Sequence, residues 1–204
     1  MNAKHLMAPT WLLASLYISS CSAVGGNVQA GRNALQTGHP AEAIGYLVPA
    51  ADADPYYKTP HRIGESVLVF LGRAYLETGK NTEARRTLEK AVSINPDDSL
   101  AHLYLGIALL RTGEGERGRT EVEVGLKGID ATLEQISADR VFGFFWDPGK
   151  QIRNDIRKTL ADKLNGESLA RAGLYIGAQL DEEIDNARRD ESRTRGGGSS
   201  GGGS

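Results

Sequence analysis

The chain has 204 residues, of which 24 are lysine or arginine and 26 are aspartate or glutamate, giving a formal net charge of −2. This near balance provides neither the basic excess of a nucleic-acid-binding surface nor a long run of like charge, so it argues against partners recruited mainly by charge. The single cysteine leaves no pair for an internal disulfide, so stability must come from packing.

The segment 1–20 has the features of an export signal. Lys4 precedes a mostly apolar stretch, residues 6–18, which is too short to span a bilayer and fits the apolar core of a signal peptide. Cys21 directly follows the tripeptide at 18–20, Ile-Ser-Ser. This order of one aliphatic residue, two small residues and cysteine resembles the lipobox of bacterial lipoproteins.

The lipobox resemblance implies cleavage before Cys21 and a covalent lipid on its thiol, with a further acyl chain on the new amino terminus. We expect this lipid to be the only non-protein group, with no cofactor. Two alternatives remain: cleavage after Ala23, where the flanking residues are also small, and an unprocessed chain with a buried cysteine.

The next part of the chain is periodic, with short motifs that recur at one fixed offset. Leu71-Gly72 recurs as Leu105-Gly106, and Thr78-Gly79 recurs as Thr112-Gly113, so both offsets equal 34. In an earlier copy Gly31 and Gly38 are seven residues apart, as are Gly72 and Gly79 in the middle copy. This self-similarity indicates a repeat architecture.

The chain here resembles the tetratricopeptide repeat (TPR) family. The middle copy has the family's small, aromatic, aliphatic and proline positions, namely Leu71, Gly72, Tyr75, Gly79, Ala84, Leu88, Ala91 and Pro96. Gly72 is expected to be small because two helices cross there, and Asp97-Asp98-Ser99 after Pro96 are expected to cap the next helix. The resemblance implies three helix pairs, at 24–57, 65–98 and 99–132, within an array spanning 21–132. The third copy departs from the pattern, with Gly118 and Gly125 at alanine positions, and an insertion, 58–64, separates the first two copies.

Residues 133–195 are expected to form C-terminal capping helices. An aromatic segment, 141–146, precedes Asp147-Pro148, which we interpret as a helix cap and a first helical proline. The next helix has an apolar stripe and is expected to end at Asn165-Gly166. A last helix from about Glu167 to Asp190 is expected to be a solubilising cap whose inward face consists of Leu169, Gly173, Ile176, Leu180 and Ile184. Residues 196–204, GGGSSGGGS, have the composition of an engineered linker. The predicted fold is therefore all-α, a right-handed α-solenoid of three TPR pairs with C-terminal capping helices.

No pattern of catalytic or metal-ligating residues is present. The four histidines are scattered without metal-ligand spacing, and the acidic pairs fall where helix starts and solvated faces are expected, so we predict no enzyme and no metal site. Binding is the remaining class of function. The expected partner-binding residues are those on the concave faces of the repeats together with the aromatic segment: Val28, Arg32, Val69, Arg73, Leu103, Ile107, Phe144, Phe145 and Trp146.

The concave groove leaves two questions open. Arg32 and Arg73 occupy equivalent positions in two copies, where they either bind carboxylates of a partner or pair with an acidic neighbour such as Glu77. The groove of the third copy is so apolar that something must cover it: the protein's own 142–146 segment or last helix, which we favour, or a partner.

The sequence thus predicts a periplasm-facing TPR lipoprotein that acts as a scaffold or assembly factor for an envelope complex. It binds a protein partner and, through its lipid, a membrane, and has no nucleic-acid partner and no small-molecule substrate. The alternative is an obligate structural subunit whose groove is filled by its own C-terminal segment. Ser22 is not the aspartate that retains some lipoproteins at the inner membrane, so the outer membrane is favoured, with the inner membrane or cell surface as alternatives.

Overall fold

The structure, a computed structural model, describes residues 11–197, and side-chain surroundings are described for residues 23–194. The part of the chain so described is all-helical. Its helices are α1 (Trp11–Gln36), α2 (Pro40–Ala53), α3 (Val67–Glu77), α4 (Asn81–Ile94), α5 (Ser99–Arg111), α6 (Gly115–Ser137), α7 (Gln151–Ala161) and α8 (Gly166–Gly197), with a 3-10 turn at Gly143–Phe145.

The first six helices form three consecutive antiparallel pairs, α1–α2, α3–α4 and α5–α6. A glycine with positive φ lies in each intervening turn, at Gly38, Gly79 and Gly113, where a side chain would strain the backbone. These are the glycines that define the sequence period. The first helices of the pairs also contact one another, so α1, α3 and α5 form one layer of a helical repeat solenoid, as the sequence predicts.

Small residues let the paired helices approach closely. A methyl group added at Gly72 would lie 2.5 Å from Leu88 Cδ2, and one added at Gly31 would lie 2.5 Å from Leu47 Cγ. The prediction that Gly72 is small because two helices cross there is therefore confirmed.

The start of α5 confirms a second prediction. Asp98 is its N-cap, and the Asp98 carboxylate accepts a hydrogen bond of 3.1 Å from the backbone N–H of Ala101. The insertion at 58–64 is a loop and does not lengthen α3, and it is closed by an isolated bridge between Lys58 and Ser66.

The C-terminal region corrects two predicted helix ends. α7 begins at Gln151, so Pro148 is not its first residue, because Asp147 and Lys150 both have positive φ and keep the chain out of the helix. Asp147 still caps α7, from a distance: its carboxylate accepts from the backbone N–H of Ile152 at 3.1 Å. α7 ends at Ala161, and the Asn165 side chain instead caps α8, accepting from the Ser168 N–H at 2.8 Å.

Residue 132, the predicted end of the third repeat, falls inside α6, whose buried Leu133 continues the same apolar face. The segment 1–10 of the predicted signal peptide, the tail 198–204 and the Cys21 side chain lie outside the described residues. Within the described residues, no helix has both the length and the hydropathy needed to cross a membrane.

Candidate protein-binding groove

The layer of α1, α3 and α5 forms the wall of a groove, and α8 lies in that groove. α8 contacts α5 and α6 of the array as well as α7. Its inward face is the one predicted from the sequence, with Leu169, Ile176, Leu180 and Ile184 all at most 3% exposed. The expectation that the last helix fills the groove is confirmed, so α8 is more than a solubilising end cap.

Two glycines bring the α8 backbone onto α5. A methyl group added at Gly173 would lie 3.0 Å from Ile107 Cδ1 and 3.1 Å from Leu103 Cδ1, and one added at Gly177 would overlap the hydroxyl of Tyr104. A larger side chain at either position would therefore push α8 away from the groove wall.

Further along α8, Asp181 joins the first two repeats. Its carboxylate forms ion pairs with Arg32 Nη2 at 2.5 Å and with Arg73 Nη1 at 3.2 Å. The three side chains are at most 8% exposed, so this is a buried charge cluster. Arg32 also donates to the backbone carbonyl of Asp181 at 3.0 Å.

One helical turn later, Asp185 extends the cluster towards solvent. It accepts hydrogen bonds from Arg32 at 2.7 Å and from Gln36 at 2.8 Å. Partial burial opposes ionisation, but these hydrogen bonds outweigh it and keep the pKa of Asp185 below its usual value. Asp185 is therefore a carboxylate that attracts Arg32.

A third acidic residue, Glu65, lies next to Arg32 in the buried cluster. Its side chain is 5% exposed, and its Oε2 lies 3.7 Å from Arg32 Nε, beyond hydrogen-bond length. Burial and the negative charge of Asp181 raise the pKa of Glu65 to about 8, against the opposing effect of the two arginines. With Glu65 protonated, the carboxylates that pair with the two arginines are those of Asp181, Asp185 and Glu77.

Both groove arginines, Arg32 and Arg73, pair with acidic side chains of the same chain. Arg73 does pair with Glu77, at 2.7 Å, as one reading proposed. Arg32 and Arg73 also bind Asp181 of the chain's own α8. Binding to carboxylates of a partner stays a prediction.

The predicted partner-binding residues fall into two groups. Those on the concave face, Val28, Arg32, Val69, Arg73, Leu103 and Ile107, are at most 6% exposed. They are inaccessible while α8 stays in place, and whether they bind a partner remains a prediction.

The aromatic segment does not fill the groove of the third repeat, because the 3-10 turn contacts α6 and α8 instead. Trp146 is 2% exposed and its indole N–H donates to Glu191 at 2.9 Å. Phe144 is 61% exposed, with its ring centroid 4.0 Å from that of Phe145. Of the predicted residues in this segment, Phe144 is the one open to a partner.

An open cleft remains between α8 and the first two repeats. It has a volume of about 390 Å³ and is lined by residues that include Gln36, Arg73, Ala178 and Arg189. α8 therefore fits tightly against α5 and loosely against α1 and α3.

Sequence reasoning missed Glu65, Asp181 and Asp185. The two aspartates carried a usable signal: with Gly173 and Gly177 they recur every fourth residue, a spacing that aligns side chains on one helical face. Among the described residues, no group of three or more histidine, cysteine, aspartate or glutamate side chains is arranged to bind a metal ion.

The fold and the groove together define a helical repeat protein whose concave face is occupied by its own C-terminal helix. The family model described as TPR repeat matches residues 72–113, which run from α3 to the turn after α5. This match supports membership of the TPR family and a role in protein–protein interaction. No curated protein matches the chain.

The buried Glu65 makes stability depend on pH. A glutamate in the unfolded chain has a pKa near 4.5, whereas Glu65 in the folded protein has a pKa of about 8. Between these two pH values the folded protein keeps a proton on Glu65 that the unfolded chain has lost. The stabilisation is full below about pH 4.5 and is lost as the pH rises through about 8. We expect the unfolding temperature to fall over this interval, and Glu65→Gln, which keeps the neutral shape, to flatten the profile.

Thermal unfolding of the protein and of Glu65→Gln in matched buffers measures this effect. The charged groups that face Glu65 are Arg32, Arg73, Asp181 and Asp185. Glu77→Gln is the control, because it removes a partly exposed partner of Arg73 and leaves Glu65 in place. Parallel profiles for the protein and Glu65→Gln would contradict the raised pKa.

Proposed function

We propose that this chain is a lipid-anchored, periplasm-facing TPR protein that serves as a scaffold or assembly factor for a complex of the cell envelope. The observation that supports protein binding most directly is the TPR match at 72–113. We favour the outer membrane, because Ser22, the residue after the proposed lipidation site, is not the aspartate that retains some lipoproteins at the inner membrane.

The lipobox-like residues support the anchor. Acyl chains on Cys21 would each contribute about 0.8 kcal/mol per buried methylene, and two or more chains give stable attachment. Val24 is already 5% exposed and Val28 is 1% exposed, both packed into the repeat array. Only two residues separate Cys21 from Val24, so cleavage before Cys21 would place the array directly against the membrane surface.

The accessible aromatic turn is the proposed partner surface while α8 is in place. Val141 is 62% exposed and Phe144 is 61% exposed, and both belong to the loop between α6 and α7. Exposed apolar residues grouped in one loop are typical of interaction sites.

The second candidate, an obligate structural subunit, is favoured by a different observation: the groove is already filled by α8. In that case the aromatic turn would be a permanent interface and the anchored protein would not be recovered alone.

The anchor is tested by Cys21→Ser, with Ser22→Ala as the matched neighbouring control. We expect Cys21→Ser to remain an uncut precursor that incorporates no labelled palmitate, and Ser22→Ala to be cut and labelled normally. A cut and labelled Cys21→Ser product would refute lipidation.

The partner surface is tested by affinity capture from native membranes with Phe144→Ser and Tyr175→Ser. Tyr175 is the control because it is an equally exposed aromatic residue, at 60%, on the outer face of α8. We expect Phe144→Ser to lose bound proteins that Tyr175→Ser retains. Identical captured sets would exclude the aromatic turn, and release of partners only under denaturing conditions would favour the obligate subunit.

A further inference from the structure

The groove-facing residues of α8 form a recognisable pattern. Gly173 and Gly177 face α5, and Asp181 and Asp185 bind Arg32, with each residue four positions after the previous one. This spacing places the two small residues and the two carboxylates along one face of the helix. The groove is therefore shaped for a helix with this order of groups.

The wall of the groove is complementary in charge to such a helix. Arg32 and Arg73 are 1% and 6% exposed, so both guanidinium groups are buried and need anionic partners. Glu65 does not meet this need, since its carboxyl group lies 3.7 Å from Arg32 without a hydrogen bond and holds its proton at neutral pH. An occupant of the groove must bring a carboxylate for Arg32, whereas Arg73 also pairs with Glu77 of its own helix at 2.7 Å.

α8 is held less closely by α1 and α3 than by α5. A cleft of about 390 Å³ separates it from part of α1 and α3, and the ion pairs of Asp181 with Arg32 and Arg73 join it to those helices. Buried ion pairs contribute little net stability after desolvation, although breaking one is costly. A second helix that supplies the same groups could replace α8 without leaving a charge unpaired.

We propose that the groove binds, in trans, an acidic amphipathic helix of a partner protein that presents two small residues and two carboxylates at spacings of four, and that α8 occupies the same site as an intramolecular competitor. This inference rests on the proposed protein-binding function and adds the chemistry of the ligand. The attached α8 acts at a high effective concentration, so the partner helix binds only in proportion to the fraction of molecules in which α8 is released.

The test uses the full-length protein in mild detergent and a fluorescent peptide with the sequence of residues 166–194, followed by anisotropy. Asp181→Asn with Asp185→Asn weakens α8 and leaves both groove arginines in place. We expect this double variant to bind the peptide at least tenfold more tightly than the unaltered protein. The matched control is Glu167→Gln with Glu182→Gln, which removes the same charge from exposed positions of α8 and should not change binding.

A peptide with asparagine in place of both aspartates should bind at least tenfold more weakly than the native peptide. If the double variant does not fold, as shown by circular dichroism, Asp185→Asn alone is used, since that side chain is 23% exposed and its loss leaves Asp181 in place.

Equal and weak binding by the double variant and the unaltered protein would overturn the proposal, as would equal binding of the two peptides. A double variant that forms dimers without peptide would overturn it in favour of a second copy as the occupant. None of these outcomes affects lipidation of Cys21 or capture through Phe144, so failure here is distinguishable from failure of the proposed function.

Discussion

Replacing Asp181 with alanine is expected to lower the free energy of unfolding by about 3–5 kcal/mol, the usual effect of removing one partner from a buried ion pair. Asp181 is 2% exposed and is the only described residue that forms ion pairs with both Arg32 and Arg73. Its loss would remove the one fully buried carboxylate between α8 and the first two repeats, since the remaining partners of the arginines, Asp185 and Glu77, are 23% and 25% exposed. Urea denaturation of the two proteins measures the difference.

Glu182→Ala provides the control for Asp181→Ala. Glu182 is the next residue of the same helix and is exposed, so its removal changes α8 by one acidic side chain without touching the cluster. We expect a change within about 0.5 kcal/mol for this exposed position. If both variants lost the same stability, the effect would belong to the helix and not to the charge cluster.

The second large effect is expected at Gly125, where α6 crosses α5. A methyl group there would overlap the Leu103 backbone and lie 2.7 Å from the carbonyl oxygen of Ser99. Both obstacles are backbone, which cannot move aside as a side chain can. Gly125→Ala should therefore destabilise the fold by about 1–3 kcal/mol, even though alanine is the better helix former.

Gly45→Ala is the matched control for Gly125→Ala and should have the opposite sign. Gly45 lies inside α2, and nothing within 4 Å would obstruct an added methyl group. Removing backbone freedom there should stabilise the protein by about 0.5–1 kcal/mol. Calorimetric unfolding temperatures that rise for both variants would contradict the close crossing of α5 and α6.

Gly125 also shows how far sequence reasoning reaches. The sequence period predicts the three helix pairs because glycines with positive φ recur in the same turn, a local requirement that leaves a local mark. In the sequence, Gly118 and Gly125 are visible only as departures from the family pattern. In the structure they let the backbones of α5 and α6 come into contact, since a methyl group added at Gly118 would lie 2.7 Å from Leu110 N.

The start of α7 also differs from the predicted one, because contacts outside the local sequence pattern determine the backbone conformation there. Asp147-Pro148 has the composition of a helix start, but Asp147 adopts positive φ and is 3% exposed, tied to Arg153 by an ion pair of 2.8 Å. The Asp147 N–H also donates to Glu183 of α8 at 2.5 Å, a contact that a local sequence pattern does not encode.

The groove was predictable in part. Its apolar character required an occupant, and the sequence favoured the chain's own C-terminal segments over a partner without deciding between the 142–146 segment and the last helix. The charge cluster was not predictable, because Arg32 and Asp181 are separated by 149 positions and only the folded array brings them together. The recurrence of Gly173, Gly177, Asp181 and Asp185 at every fourth residue indicates a shared helical face, but it does not show which helix that face contacts.

The central claim is that α8 lies in the groove of the repeat array, and hydrogen exchange of backbone amides tests it most directly. A docked α8 predicts that amides from Ile176 to Ile184 exchange far more slowly than those of an isolated helix, since α8 must leave the groove before they open. Exchange of the α8 amides at the rate of an isolated, solvated helix, with α5 still protected, would contradict the account.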